Sequence, residues 1–241
     1  MLSGLIDTLF KNIYYVIIGK AFSAKDLGYY ARSDQFSTFP ANNLMNIIGR
    51  VSYPVLSEVQ NDIPRLKSNY QKLIRSTMFI TFVFMLGMVA VAEPMIITLI
   101  GEQWRSSIIY LQLLCFVAMF YPLQALNLNM LKVQGRSDLF LKLEIIKKAI
   151  ALPVILIGIF FGIKMMMVGM IFNSIIAYYL NSYWSGQMLG YSIKSQVKDI
   201  LPSFTLAVAM AVLVFCLGLV LPMSDFWILF AQVSMGAGFI L

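Results

Sequence analysis

The chain has 241 residues, 60% of them hydrophobic and 12% charged, with a mean hydropathy of +0.81 and a formal charge of +7. That is about half the charged fraction of an average soluble domain, which excludes an ordinary water-soluble fold. No histidine is present, so His-based triads, His-ligated zinc or haem and His proton relays are excluded together.

Six charge-free runs cover residues 76–92, 106–131, 149–163, 165–193, 200–224 and 226–241. A bilayer core about 30 Å thick is crossed by about 20 helical residues. The expected fold is therefore all-α, a polytopic transmembrane helix bundle of about eight spans. No cationic leader followed by a short apolar core and a cleavage site opens the chain, so no signal peptide is expected. Cys115 and Cys216 sit in separate apolar runs and read as small buried hydrophobes, not as a disulfide or metal framework.

The first span is expected at about residues 2–19, with Asp7 and Lys11 spaced i,i+4 on one face. The second covers about 27–56, with Pro40 as a kink. Val59, Ile63, Leu66, Tyr70 and Leu73 alternate with Arg65, Lys67 and Lys72, a pattern for a helix on the membrane surface that runs into the third span near Ser76. Residues 93–105, with Pro94 and Trp104, read as an interfacial loop. The fourth span is expected at 107–131, the fifth at 139–163, the sixth at 166–189 and the seventh at 200–221. The last apolar run, 226–241, ends without a loop or tail, the pattern of a fragment of a longer protein.

Loops alternating across the membrane put Arg65, Lys67, Lys72, Arg75, Lys132, Arg136, Lys142, Lys194 and Lys198 on one side, against Lys20, Lys25, Arg105 and Lys164 on the other. Positive residues favour the cytoplasm, so the amino terminus is expected inside. The same rule accounts for the net positive charge without a nucleic-acid partner.

Ionisable groups inside spans cost about 2.5–3.5 kcal/mol each on insertion scales and persist where they meet water or a partner. Lys11 stands well inside the first span, either paired with Asp7 or facing a cavity. Arg32, Gln35, Phe39, Asn42, Asn46 and Arg50 follow steps of three or four and form a polar stripe down the second helix, interrupted by Phe39. Such a stripe either bonds to neighbouring helices or lines a hydrated pathway. Asp34 lies off it. Lys147 and Lys148 precede a charge-free run too short to cross alone. Glu144 is placed to pair with either lysine, and the two readings are snorkelling to the interface or a cationic lining. Gln124, Asn127, Asn129, Asn173 and Asn181 read as interhelical hydrogen-bonding groups. Gly158 and Gly162 form a small-xxx-small pair. The chain carries no phosphate-binding loop, dinucleotide turn, H-E-x-x-H or G-x-S-x-G motif, and its acids are scattered. Neither a cofactor nor enzymatic activity is expected.

One stretch is more specific. "IIGKAFSAKDLGYYARSDQFSTFPANNLMNIIGRVSYPVLSEVQND", residues 17–62, resembles the middle of bacterial polysaccharide exporters of the colanic-acid-exporter type, in the multidrug/oligosaccharidyl-lipid/polysaccharide flippase superfamily. "VAEPMIITLIGEQWRSSIIYLQLL", 91–114, and "QGRSDLFLKLEIIKK", 134–148, fit the same pattern. The resemblance covers roughly residues 4–190.

It implies one six-helix lobe of a two-lobe transporter at 1–190 and added carboxy-terminal helices at 191–241, with the first lobe missing. It also implies export of undecaprenyl-diphosphate-linked oligosaccharide across the bacterial cytoplasmic membrane by alternating access, for surface polysaccharide biosynthesis. The expected partners are the lipid-linked oligosaccharide, membrane lipids and the missing lobe. A diphosphate needs cations and a sugar needs polar partners. Lys11, Arg32, Arg50, Lys147 and Lys148 are accordingly the anion-contacting candidates, and Gln35, Asn42 and Asn46 the polar lining. The rival readings are a membrane enzyme of polysaccharide assembly, which calls for a large loop with arranged catalytic groups, and a drug/cation antiporter of the same superfamily, which favours an acidic cavity.

Overall fold

The computed structural model describes residues 2–240, with side chains from Asn12 to Ile240; Asp7 and Lys11 fall outside the described side chains. Among the described residues the regular structure is all helical. Its elements are α1 (Leu2–Ala21), α2 (Ala24–Glu58), α3 (Ile63–Ala90), α4 (Ala92–Ile100), a 3-10 turn at Glu102–Trp104, α5 (Ser107–Ala118), α6 (Tyr121–Val133), α7 (Ser137–Phe161), α8 (Ile163–Leu189), α9 (Ile193–Val220) and α10 (Asp225–Ile240). Counting α5 and α6 as one kinked rod and setting the short α4 aside leaves eight long segments, in the expected order. Among the described residues, four of them are by length and composition apolar enough to cross a membrane: α3, the α5–α6 rod, α8 and α9. The chain is a multi-pass membrane protein. Its outward face carries exposed Phe160, Phe161, Phe172, Leu219, Val220 and Phe230, an apolar surface suited to lipid.

Local chemistry sets the ends of the helices. Ser23 caps α2, its side chain accepting from Asp26 N while Asp26 reaches back to the Ser23 backbone. Asp62 caps α3 by accepting from Arg65 N. The surface segment expected before the third span is the first half of α3, one unbroken helix of 28 residues. Leu66, Tyr70 and Ile74 on it are fully buried, so its apolar face is turned into the bundle.

One proline position departs from the expectation. The stretch read as a loop contains α4, because Pro94 falls in its first turn, where backbone N–H groups have no intrahelical partner. Pro122 falls likewise in the first turn of α6 and interrupts the fourth span at Met119 and Phe120, which keep right-handed helical dihedrals. Pro40 and Pro54 lie inside α2 without ending it.

α3 is the axis of the largest core cluster, where Tyr70, Ile74, Met78 and Met85 meet side chains of α2, α5, α6 and α9. α9 lies along α3, the most extensive helix pair, and α10 packs on α4 and α9. Arg75 Nη2 donates to Asp199 Oδ1 at 2.7 Å, Tyr191 OH to Asp199 Oδ2 at 2.6 Å and Lys67 Nζ to the Gly190 carbonyl at 2.7 Å, which ties one end of α9 to α3. Burial, then the hydrogen bond to Asp199, pushes the Tyr191 phenol well above its ordinary pKa, so it remains a donor. Cys115 is buried; Cys216 is exposed on α9, contrary to its expected burial, because its apolar run faces outward.

Gly158 in α7 and Gly162 just after it have different roles. Gly162, at φ +93°, makes the turn from α7 into α8. Gly158 is a contact point, since a Cβ there would lie 2.6 Å from Met166 Cβ. We expect Gly158→Ala to destabilise the α7–α8 hairpin by about 1–3 kcal/mol, the range for overpacking. Gly49→Ala, at a helical site with nothing within 4 Å, should be neutral or stabilise by up to about 1 kcal/mol. Thermal melts in detergent decide it: a Gly158→Ala protein as stable as the parent would show that α7 and α8 are not held this closely.

Candidate substrate cavity

α1, α2, α6, α7 and α8 enclose a cavity of about 540 Å³, with Val117 of α5 closing part of it. The volume is that of a small-molecule site. Its chemistry changes along α6. Lys132 and Phe140 line it near the α6–α7 turn, and Glu144, Lys147 and Lys148 follow farther along α7. Lys132 Nζ lies 4.9 Å from the Phe140 ring centroid. Lys147 donates to Glu144 Oε1, and Lys148 Nζ stands 3.9 Å from Glu144 Oε2. The side chains of Glu144 and Lys147 are each only 12% exposed, so this is a largely desolvated ion pair.

Toward the first turn of α6 the wall becomes aromatic: Tyr14, Tyr15, Tyr30 and Tyr121, with Asp34 and Met170. Tyr15 OH donates to Asp34 Oδ2 at 2.6 Å, and the Tyr15 and Tyr30 rings meet edge to face at 5.3 Å. Amides lie between the two zones. Gln124 Nε2 donates to the Ser174 carbonyl at 3.3 Å, Asn129 Nδ2 to Ser52 Oγ at 3.0 Å, and Asn173 Oδ1 is buried without a hydrogen-bond partner. Among the described residues, three lysines against two carboxylates leave the lining positive by one formal charge.

Of the residues singled out from sequence, the structure brings Asn42, Lys147 and Lys148 to this cavity. Arg32, Gln35, Asn46 and Arg50 lie on the exposed face of α2, away from the cavity lining, and Asn42 bridges the two surfaces. Arg32 Nη1 donates to Gln35 Oε1 at 3.0 Å, and its guanidinium sits 5.7 Å from the Trp104 ring centroid. The pairing of Glu144 with both lysines is the one that i+3 and i+4 spacing predicts. Three of the five amides act between helices as expected: Asn127 of α6 accepts from Tyr70 OH of α3 at 2.7 Å, and Gln124 and Asn129 tie α6 to α8 and α2; Asn181 departs from the expectation, its Nδ2 and Oδ1 both buried without a hydrogen-bond partner, as is Asn173 Oδ1. The sequence reading missed the tyrosine zone and Lys132. Among the described residues no group of acids and cysteines has metal-ligand geometry.

A family model described as "Polysaccharide biosynthesis protein" matches residues 1–109. The chain is 27% identical over 223 residues to the lipopolysaccharide biosynthesis protein WzxC of Escherichia coli (strain K12), covering 90% of this chain and 45% of that protein. It is 26% identical over 137 residues to the teichuronic acid biosynthesis protein TuaB of Bacillus subtilis (strain 168), covering 57% of this chain and 28% of that one. Among solved structures, the lipid II flippase MurJ in an inward closed conformation superposes with a TM-score of 0.68 at 14% identity, over 97% of this chain and 52% of MurJ. The resemblance to polysaccharide flippases is borne out, and the fold is that of half of MurJ. The chain spans about half or less of the length of these relatives.

Removing one partner of a desolvated ion pair costs about 3–5 kcal/mol, because the other charge stays buried. We expect Glu144→Gln to lower stability by that order and Glu144→Gln/Lys147→Met to recover most of the loss. Melting of the purified protein checks both, and an additive double variant would mean that Glu144 and Lys147 are not coupled.

Proposed function

We propose, for a chain related to bacterial polysaccharide biosynthesis proteins and flippases, that it forms one lobe of a two-lobe flippase for undecaprenyl-diphosphate-linked oligosaccharide in the bacterial cytoplasmic membrane. Residues 1–190 form the lobe and residues 191–241 the added helices.

The observation that carries the reading is the exposed polar stripe of α2 beside a positively lined cavity. Arg32 to Arg50 spans about 27 Å at 1.5 Å per residue, nearly the thickness of a bilayer core. Lipid gives arginines and amides at that depth no partner, so the stripe needs water or a second body of protein. The relatives are about twice as long or longer, which is room for such a body. A hydrated path between two lobes then offers Arg32 and Arg50 on one wall and Lys132, Lys147 and Lys148 in a side chamber. These cations suit a diphosphate, and the amides suit a sugar. The lipid tail stays in the bilayer. The work is binding and reorientation, not bond making.

The decisive experiment reconstitutes the whole protein that carries this chain in proteoliposomes and follows leaflet crossing of a fluorescent undecaprenyl-diphosphate oligosaccharide. Crossing above empty liposomes is expected. Arg32→Gln and Arg50→Gln should each lower its rate about tenfold, the scale of a charge-assisted hydrogen bond, with unchanged membrane insertion. Full-rate crossing in both variants would remove the stripe from the transport path.

A further inference from the structure

A second cavity opens where the first turns of α2, α4, α5 and α8 meet, at the end of the bundle opposite the α6–α7 turn. We infer that it holds the headgroup of a zwitterionic aminophospholipid, with the phosphate at Lys164 and the ammonium at Asp26. The inference goes beyond the transport reading and does not depend on it.

The cavity measures about 490 Å³. Among the described residues its lining carries two carboxylates, Asp26 and Glu93, and two cations, Arg105 and Lys164. Formally they cancel, but they are not equivalent. Arg105 is committed, donating to Glu102 and to Glu93 at 2.5 Å each. Asp26 accepts from Ser23 Oγ at 2.6 Å within its own helix cap and meets no cation among the described residues. Lys164 likewise meets no carboxylate there. A lone acid on α2 and a lone base on α8, facing one cavity, complement a ligand that carries both charges. The backbone fits the same division. The first turns of α5 and α8, behind Ser106 and Gly162, have no side-chain cap, so their N–H groups remain for a phosphate beside Lys164. Tyr110 is only 8% exposed, yet it lines the cavity and its hydroxyl makes no hydrogen bond among the described residues. A phenol both donates and accepts, so it serves either end of a zwitterion. The depth is that of headgroups. Tyr29 in the wall meets Trp104 edge to face at 5.9 Å, and such rings settle at the membrane–water interface. Ile108 and exposed Ile109 give the same cavity an apolar side for the first acyl carbons. A primary ammonium offers Asp26 three N–H donors, which a quaternary one lacks. Ethanolamine is therefore preferred to choline, and a glycerol headgroup leaves Asp26 without a cation.

The test uses the whole protein that carries this chain, titrated in detergent with dioleoyl phosphatidylethanolamine, phosphatidylcholine and phosphatidylglycerol while native mass spectrometry counts bound lipid. We expect phosphatidylethanolamine to bind about fivefold tighter than the other two, the scale of a partly exposed charge pair. Lys164→Gln and Asp26→Asn should each abolish that preference; Asn keeps the side-chain oxygen that the cap of α2 uses. Lys20→Gln, which removes a cation in the last turn of α1 outside the cavity lining, should leave it intact. The preference is a ratio within one variant, so a change in fold stability cancels. Equal binding of the three lipids by the parent overturns the proposal. Tightest binding of phosphatidylglycerol overturns it as well, because that pattern is a simple cationic patch. A preference that survives both cavity variants places the lipid elsewhere and overturns it too.

Discussion

A bilayer supplies no hydrogen-bond partners, so every polar group at membrane depth must find one within the protein or in enclosed water. This constraint arranges the interior of the bundle. α6 shows it most fully, because three of its amides are spent on three different neighbours: Asn127 on α3, Asn129 on α2 and Gln124 on α8. Each bond adds little in a membrane, about 0.6 kcal/mol on average. Together they fix the rotation of α6 about its axis. That rotation is what turns Tyr121, Gln124 and Lys132 toward one cavity.

The same constraint makes α2 the most informative helix. One of its faces is satisfied within the chain: Ser33 Oγ donates to the Ser107 carbonyl at 2.8 Å, Asp34 accepts from Tyr15, and Ser52 accepts from Asn129. The other face presents Arg32, Gln35, Asn46 and Arg50 outward. A helix with polar groups on both sides at bilayer depth is ill suited to a lipid boundary, where neither face would find a partner.

The sequence revealed what depends on local spacing. Apolar runs announced the long helices, and the i+3 and i+4 positions of Lys147 and Lys148 announced their partner Glu144. It failed where a residue type has two meanings decided by position. Pro94 usually breaks a helix, yet in the first turn of α4 its missing N–H has no bond to lose. Pro122 kinks the fourth span between α5 and α6 without ending it. The cavity was legible only in its charges. The Tyr15–Asp34 bond joins residues 19 apart on two helices, and no periodicity within either helix fixes how the two are rotated against each other. Four tyrosines scattered over α1, α2 and α6 among twelve in the chain carry no signal until packing gathers them.

The ion pair in the cavity wall is a costly group to retain. Replacing a buried pair by well-packed apolar residues is often neutral or stabilising, so stability alone does not explain Glu144 with Lys147 and Lys148. Glu144 keeps two ammonium groups at a fixed depth in the cavity wall, and buried charges of that kind are retained where they meet a partner or water.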